Sequence, residues 1–167
     1  MVDWGFRQAS AADVEAVAEL RAVVMRADLE RLGRYDEHRV RQRLRDGFLP
    51  AHTRVIEVDG DFAGSVALRP ADDNGRSAYW LEHFYLDPRA QGRGIGSAVL
   101  RELLERCDRE DAVVRLIVLQ GSPARRLYER HGFTFEREDP VDVHLVRPAG
   151  RRPGREGLRH PQEPARR

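Results

Sequence analysis

A chain of 167 residues with 41% apolar content is long enough for one domain with its own core. A single cysteine excludes an intrachain disulfide, and no apolar stretch is long enough to span a bilayer. All 29 basic residues are arginines, and a net charge of +1 excludes a strong whole-protein pull toward nucleic acid.

In chain order, Phe6 and Arg7 end a first strand. Ser10 reads as an N-cap with Asp13 in the first turn, and Val14, Val17, Leu20 and Val24 recur at helical period, predicting a helix to about Arg26. A second helix is expected over 36–46, with Val40 and Leu44 four apart. The β-branched run 53–58 reads as a strand, Asp59-Gly60 as a hairpin turn, 62–68 as the returning strand, 71–77 as a polar turn and 79–86 as the next strand, ended by Pro88. A helix follows over 95–107. Cys107 lies at helical spacing from Val99 and Leu103 and reads as a small buried residue. The apolar run 113–119 is a buried strand; a crossover helix between it and 79–86 implies parallel pairing. Pro123 opens a further helix, and 134–138 with 141–146 form a closing hairpin around Asp139-Pro140.

Two units follow: a domain over 1–147 and a tail over 148–167. The tail is rich in Pro, Gly and Arg and too poor in apolar residues to offset ordering entropy, so disorder is expected. From Arg147 on, seven arginines stand against Glu156 and Glu163, a local +5 that leaves −4 on the body. Without a basic-then-apolar leader at the N-terminus, the expected compartment is the cytoplasm.

The most informative segment is the junction between the strand 79–86 and the helix 95–107, with Gln91, Gly92, Arg93, Gly94, Ile95, Gly96 and Ser97. Glycines there let backbone N–H groups converge on an anion, and a helix N-terminus adds a partial positive charge. The spacing G-x-G-x-G departs from the dinucleotide fingerprint, and the absence of lysine removes a Walker loop. The pattern Gln91-x-x-Gly94-x-Gly96 resembles the coenzyme A loop of the GNAT superfamily of acyl-CoA-dependent N-acetyltransferases. A second motif stands in order behind it: Ala124, Leu127, Tyr128, Gly132 and Phe133 fall in register with that superfamily's Asn-x-x-Ala-x-x-Leu-Tyr-x-x-x-Gly-Phe. Gly121 occupies the Asn position, and Ser122 is the nearest side chain that could replace its hydrogen bond. The resemblance covers about 3–147.

The resemblance implies an α/β fold of GNAT type, a mixed central sheet of six to seven strands flanked by about four helices. It implies acetyl-CoA as donor substrate and an amine acceptor, with the pyrophosphate on the amides of 91–97, and Gly121, Ser122 and Tyr128 at the pantetheine arm and thioester. Phe84, Tyr85 and Leu86 would pair with that arm where two parallel strands splay, the Leu86 N–H serving as oxyanion donor. Tyr128 is the implied general acid for the leaving thiolate, since a phenol is protonated at neutral pH. Glu82 is the first candidate for the base and His83 the second. Strict alternation would put Glu82, Phe84 and Leu86 on one face, and His83 and Tyr85 on the other. Met25, Leu29 and Tyr35 are candidate acceptor-lining residues, with helix–helix packing as the competing role. No metal is implied, because no Cys/His cluster has ligand spacing. A small amine, such as an amino acid, polyamine or aminoglycoside-like compound, is the favoured acceptor, and the acidic body favours a cationic one. Protein N-termini or lysines, and acetyl-CoA binding without turnover, are the alternatives. Neither nucleic acid nor membrane is expected as a partner; the resemblance allows a homodimer, with the closing hairpin as an available edge.

Overall fold

The computed structural model describes residues 2–150, so the tail from 151 on lies outside the described residues. One seven-stranded sheet runs in the order β1-β2-β3-β4-β5-β7-β6. The strands β1 (Trp4–Gln8), β2 (Thr53–Val58), β3 (Asp61–Asp73) and β4 (Arg76–Leu86) form an antiparallel meander. The parallel partner of β4 is β5 (Val113–Leu119), which continues antiparallel to β7 (Asp142–Arg147), and β7 to β6 (Thr134–Glu138). Among the described residues four α-helices flank the sheet: α1 (Val14–Arg31), α2 (Glu37–Gly47), α3 (Ile95–Arg109) and α4 (Ala124–Arg130). This is the mixed α/β architecture that the two motifs implied.

The helices divide between the faces. Ile95, Val99, Leu100, Leu103, Leu104 and Cys107 form one buried stripe of α3 and pack with Tyr128 and Phe133 on Leu81, Leu116 and Val118 of the sheet. Cys107 is fully buried there, and burial pushes its thiol up to about 11, so it fills space and is inert at neutral pH. On the other face Val17, Ala18 and Leu20 of α1 and Leu44 of α2 pack with Tyr85 of β4.

Two elements run further than their periodicity suggests. α1 continues past Arg26 to Arg31, because no breaker intervenes before Gly33 and the ion pairs Arg26–Glu30 and Arg31–Asp28 support its last turns. Gly33 at φ +67° then ends it, with the Arg34 N–H donating to the Leu29 carbonyl at 2.8 Å in a Schellman closure. The segment 71–77 is two strand ends joined by Asn74-Gly75. Both residues have positive φ, and Asp73 pairs with Arg76 across a two-residue turn. Its polarity comes from exposed strand residues, which composition alone cannot tell from a loop.

The alternation expected over 82–86 is corrected by a β-bulge. Between the pairs Ser65↔Tyr85 and Ala67↔Glu82 the register shifts, and His83 sits at φ +49°. Tyr79 and Leu81 belong to the α3-side core, as do Phe84 and Leu86 beyond the bulge. Glu82 pairs with Arg69 and so shares the α1/α2 face with His83 and Tyr85 instead of the Phe84 face. An extra residue in the strand inverts the faces that follow it.

The edge of the closing hairpin is β6, whose residues are all exposed. It carries a bulge between Phe135 and Arg137 and the charges of Glu136, Arg137 and Glu138, features that discourage addition of another strand. Among the described residues no helix is long and apolar enough to cross a membrane, and no group of three His, Cys, Asp or Glu side chains could hold a metal ion.

Candidate active site

The parallel ladder between β4 and β5 is short. It holds Ala78↔Val113, Tyr79↔Val114 and Trp80↔Arg115; beyond these β4 continues to Leu86 and β5 to Leu119 with no further pairing between them. The strands therefore open toward their C-terminal ends, where a parallel α/β sheet binds its ligands. The Asp87 N–H donates to the Ala63 carbonyl at 2.7 Å on the β3 side. Successive strand amides alternate, so the Leu86 N–H is directed into the opening, while that of Tyr85 faces β3 opposite Ser65. The Leu86 carbonyl accepts from the Gln91 side chain at 3.0 Å, tying the loop to the strand.

The loop leaves β4 through a short 3-10 turn over Pro88–Ala90 and enters α3 at Gly94. Gly92 and Gly94 have φ of +72° and +78°, a region L side chains avoid. Gln91, Gly92, Arg93 and Gly94 are exposed, whereas Ile95 is buried and anchors the helix start. The amides of Ile95, Gly96 and Ser97 fall in the first turn, where no intrahelical acceptor exists, so they are available to an anion. A Cβ at Gly96 would stand 3.6 Å from Leu127 and Leu86: a methyl fits, a larger group meets the wall. This cradle and the adjoining opening fit a diphosphate carrying an extended arm.

On the far wall Gly121 has φ +73°, and a Cβ there would lie 3.1 Å from the Arg31 guanidinium, which donates to the Gln120 carbonyl from the end of α1. The Ser122 hydroxyl accepts from the Ala124 amide at 3.3 Å, within the turn that starts α4. Tyr128 is buried against Phe84 and Phe133, with ring centroids 6.4 and 5.8 Å away. Burial, with Tyr85 adding to it, drives its phenol well above the ordinary value. Among the described residues nothing hydrogen-bonds to its hydroxyl, which leaves it protonated and unspent.

The α1/α2 side of β4 is built differently. Glu82 is held by Arg69 through contacts of 2.7 and 3.1 Å. His83 Nδ1 lies 3.3 Å from the Tyr85 hydroxyl, which accepts from Arg21 at 2.5 Å; Arg21 also donates to the Val40 carbonyl of α2 at 2.8 Å. Burial depresses the His83 pKa, and the nearby cations Arg21 and Arg69 depress it further, while Glu82 and a Gly47 backbone hydrogen bond oppose them. Leu29 is buried with Ala22 and Val40, and Met25 and Tyr35 pack on the same cluster together with Leu119, so these three seat α1 and α2 on the end of β5. Arg21, Arg31 and Arg69 are the site residues that motif reading misses. Arg21 alone leaves a trace: it sits in the apolar stripe of α1, four residues from Val17 and from Met25, where an arginine needs a buried partner.

Known proteins resemble this chain in sequence and fold. The acetyltransferase (GNAT) family model matches residues 15–133. The L-amino acid N-acetyltransferase AaaT of Escherichia coli is 27% identical over 135 residues, spanning 78% of this chain and 82% of that protein. The spermine/spermidine N(1)-acetyltransferase of Bacillus subtilis is 34% identical over 94 residues, 50% of this chain and 59% of that protein. Among solved structures, the PaiA N-acetyltransferase of Thermoplasma acidophilum in complex with coenzyme A superposes with a TM-score of 0.67 at 18% identity, covering 87% of this chain and 99% of that one. With the loop, the strand opening and the family match in agreement, the chain belongs to the GNAT family of acetyltransferases.

Proposed function

We propose that this protein transfers the acetyl group of acetyl-CoA to the primary amine of a small, carboxylate-bearing acceptor by direct attack in a ternary complex. The carrying observation is the opening between β4 and β5, flanked by the glycine loop on one face and by Glu82, His83 and Tyr85 on the other. A thioester laid in it is held from the α3 side and reached by an amine from the α1/α2 side. The amides of 91–97 hold the pyrophosphate, the Leu86 N–H supports the oxyanion, and Tyr128 protonates the departing thiolate.

His83 takes the amine proton in this reading, ahead of Glu82. Both Glu82 oxygens are engaged by Arg69, whereas burial and the arginines keep the imidazole neutral and able to accept. The charged groups facing His83, Arg21 and Arg69 against Glu82, sum to a positive balance. That local balance, and not the acidic body, meets the acceptor, and it favours an amino-acid-like carboxylate over a polyamine. The E. coli relative, by its name, acts on L-amino acids and matches along most of its length.

Thiol release from acetyl-CoA across a panel of amino acids, polyamines and peptide N-termini tests the reading. Release with amino acids supports it; preference for polyamines or peptides reassigns the acceptor. Tight acetyl-CoA binding with no release on any amine makes the chain a binding module. Within an active pair, His83→Gln should abolish the rate and Glu82→Gln should leave most of it; the reverse order moves the base to Glu82.

A further inference from the structure

We propose that Arg21 is a positioning residue for the acceptor-side base. It fixes the direction of a hydrogen-bond chain running Arg21–Tyr85–His83 and so makes His83 Nδ1 the atom that receives the proton. This rests on His83 as the base.

A guanidinium donates and never accepts. Arg21 therefore gives an N–H to the Tyr85 oxygen at 2.5 Å, with its Nε committed to Val40 at 2.8 Å. The hydroxyl proton of Tyr85 must then point elsewhere, and His83 Nδ1, 3.3 Å away, is its acceptor. The ring proton consequently resides on Nε2. That nitrogen stands at the end of α2, 3.4 Å from the position a Cβ would take on Gly47. Each group is left one role, and one tautomer satisfies them all.

The route of the proton follows. The amine N–H bond breaks and its proton goes to the Tyr85 oxygen. The Tyr85 O–H bond breaks in concert and its proton passes to Nδ1. The amine nitrogen keeps the electron pair that attacks the thioester carbonyl. Arg21 stabilises the charge that crosses the phenol oxygen, from a helix pinned against the strand by the same side chain. The charged groups facing the imidazole are Arg21 from α1, Arg69 from β3 and Glu82 from β4, and Gly47 of α2 lies beside the ring. Removing Arg21 takes away one of two cations and the constraint on the Tyr85 proton. Both changes let His83 protonate at higher pH.

The test is the pH dependence of kcat/KM for acetyl-CoA with an amine from the panel above, on the full chain and its variants. Arg21→Met should lower kcat about 10- to 100-fold, leave the acetyl-CoA KM within about twofold, and move the acid limb to higher pH. Arg21→Lys should recover part of the rate and part of the shift. Tyr85→Phe should fall to the level of His83→Gln. An acid limb that stays in place in Arg21→Met makes Arg21 merely structural and overturns the proposal, as does wild-type turnover in Tyr85→Phe. Should Arg21→Met fail to fold, Arg21→Lys and Tyr85→Phe decide by the same criteria. Full activity in His83→Gln is a separate result: it removes the base, whereas an inactive His83→Gln beside an unmoved Arg21 limb removes only the positioning.

Discussion

The two faces of the β4–β5 opening are made of different material. On the α3 side the working groups are main-chain amides, presented by Gly92, Gly94 and the first turn of α3 within a stretch contiguous in sequence. On the α1/α2 side they are side chains brought together from three elements: Arg21 from α1, Arg69 from β3, and Glu82, His83 and Tyr85 from β4, set against the end of α2. A backbone site depends on a few dihedral angles and is disturbed by changing them. A side-chain site depends on packing over long sequence separations and is disturbed by altering any partner. The first suits a donor with an invariant phosphate arm; the second is where the proposed reading has the acceptor chosen.

The contrast breaks most sharply at Gly94. A valine there meets no neighbour, since a Cβ has open space around it, but it must hold φ +78°. The loop will relax instead and withdraw its amides, so Gly94→Val should weaken acetyl-CoA binding about 100-fold or more with little change in thermal stability. Gly96→Ala is its control: the methyl has 3.6 Å clearance, and binding should stay within about threefold of wild type. Titration calorimetry with acetyl-CoA measures both. Unchanged affinity in Gly94→Val would move the phosphates elsewhere.

Tyr128 sharpens the comparison from the donor side, because it is the one side chain there with an assigned chemical role. Its hydroxyl engages no other group among the described residues, so Tyr128→Phe should fold and bind acetyl-CoA as wild type does. Turnover should fall about 100-fold for want of the proton donor. Equal turnover in the two forms takes the phenol out of the mechanism.

The difference between the faces also explains what was legible in the sequence. The strand–loop–helix of 79–107 could be read because Pro88, Gly94 and the α3 stripe are local signals. The β5–α4 run, with Tyr128 in register, was legible for the same reason. The bulge at His83 was not. Its cause is a two-for-one pairing with β3, and no local composition marks it, so strict alternation misassigned the face of Glu82. Arg31 was hidden for a related reason, and the position of Arg21 in the apolar stripe showed that it needs a partner without showing which one. A helix arginine names no partner until the residue it reaches, Tyr85 or Gln120, is placed beside it.

Gly121 joins the two faces, since α1 of the acceptor side reaches across to it through Arg31. Gly121→Ala must adopt φ +73° and push the guanidinium from 3.1 Å, so it should lose about 1–2 kcal/mol of stability. In an Arg31→Ala background the steric part of that loss disappears and the backbone part remains. Urea denaturation of the four proteins gives both parts; a neutral Gly121→Ala would mean that the turn after β5 is not constrained.

The smallest effect concerns how the acceptor face is anchored. Asp13, at the start of α1, accepts from Arg7 of β1 at 2.8 and 2.9 Å and from the Ser10 amide at 2.8 Å. These bonds, the Arg7 pair first, lower its pKa to about 2. A carboxylate depressed in this way contributes stability that is complete above its unfolded value, near 4, and is lost as the pH falls through 2. Arg7 is 40% exposed, so solvent screening reduces the contribution to roughly 1 kcal/mol. Wild type and Asp13→Asn should therefore differ by that amount at pH 7 and converge as the pH falls below 3. Because the pair holds α1 and with it Arg21, the acceptor KM of Asp13→Asn should rise while the acetyl-CoA KM stays put. Parallel rises in both constants would mean that the two faces are one mechanical unit, and the division between a backbone-built donor side and a packed acceptor side would fail.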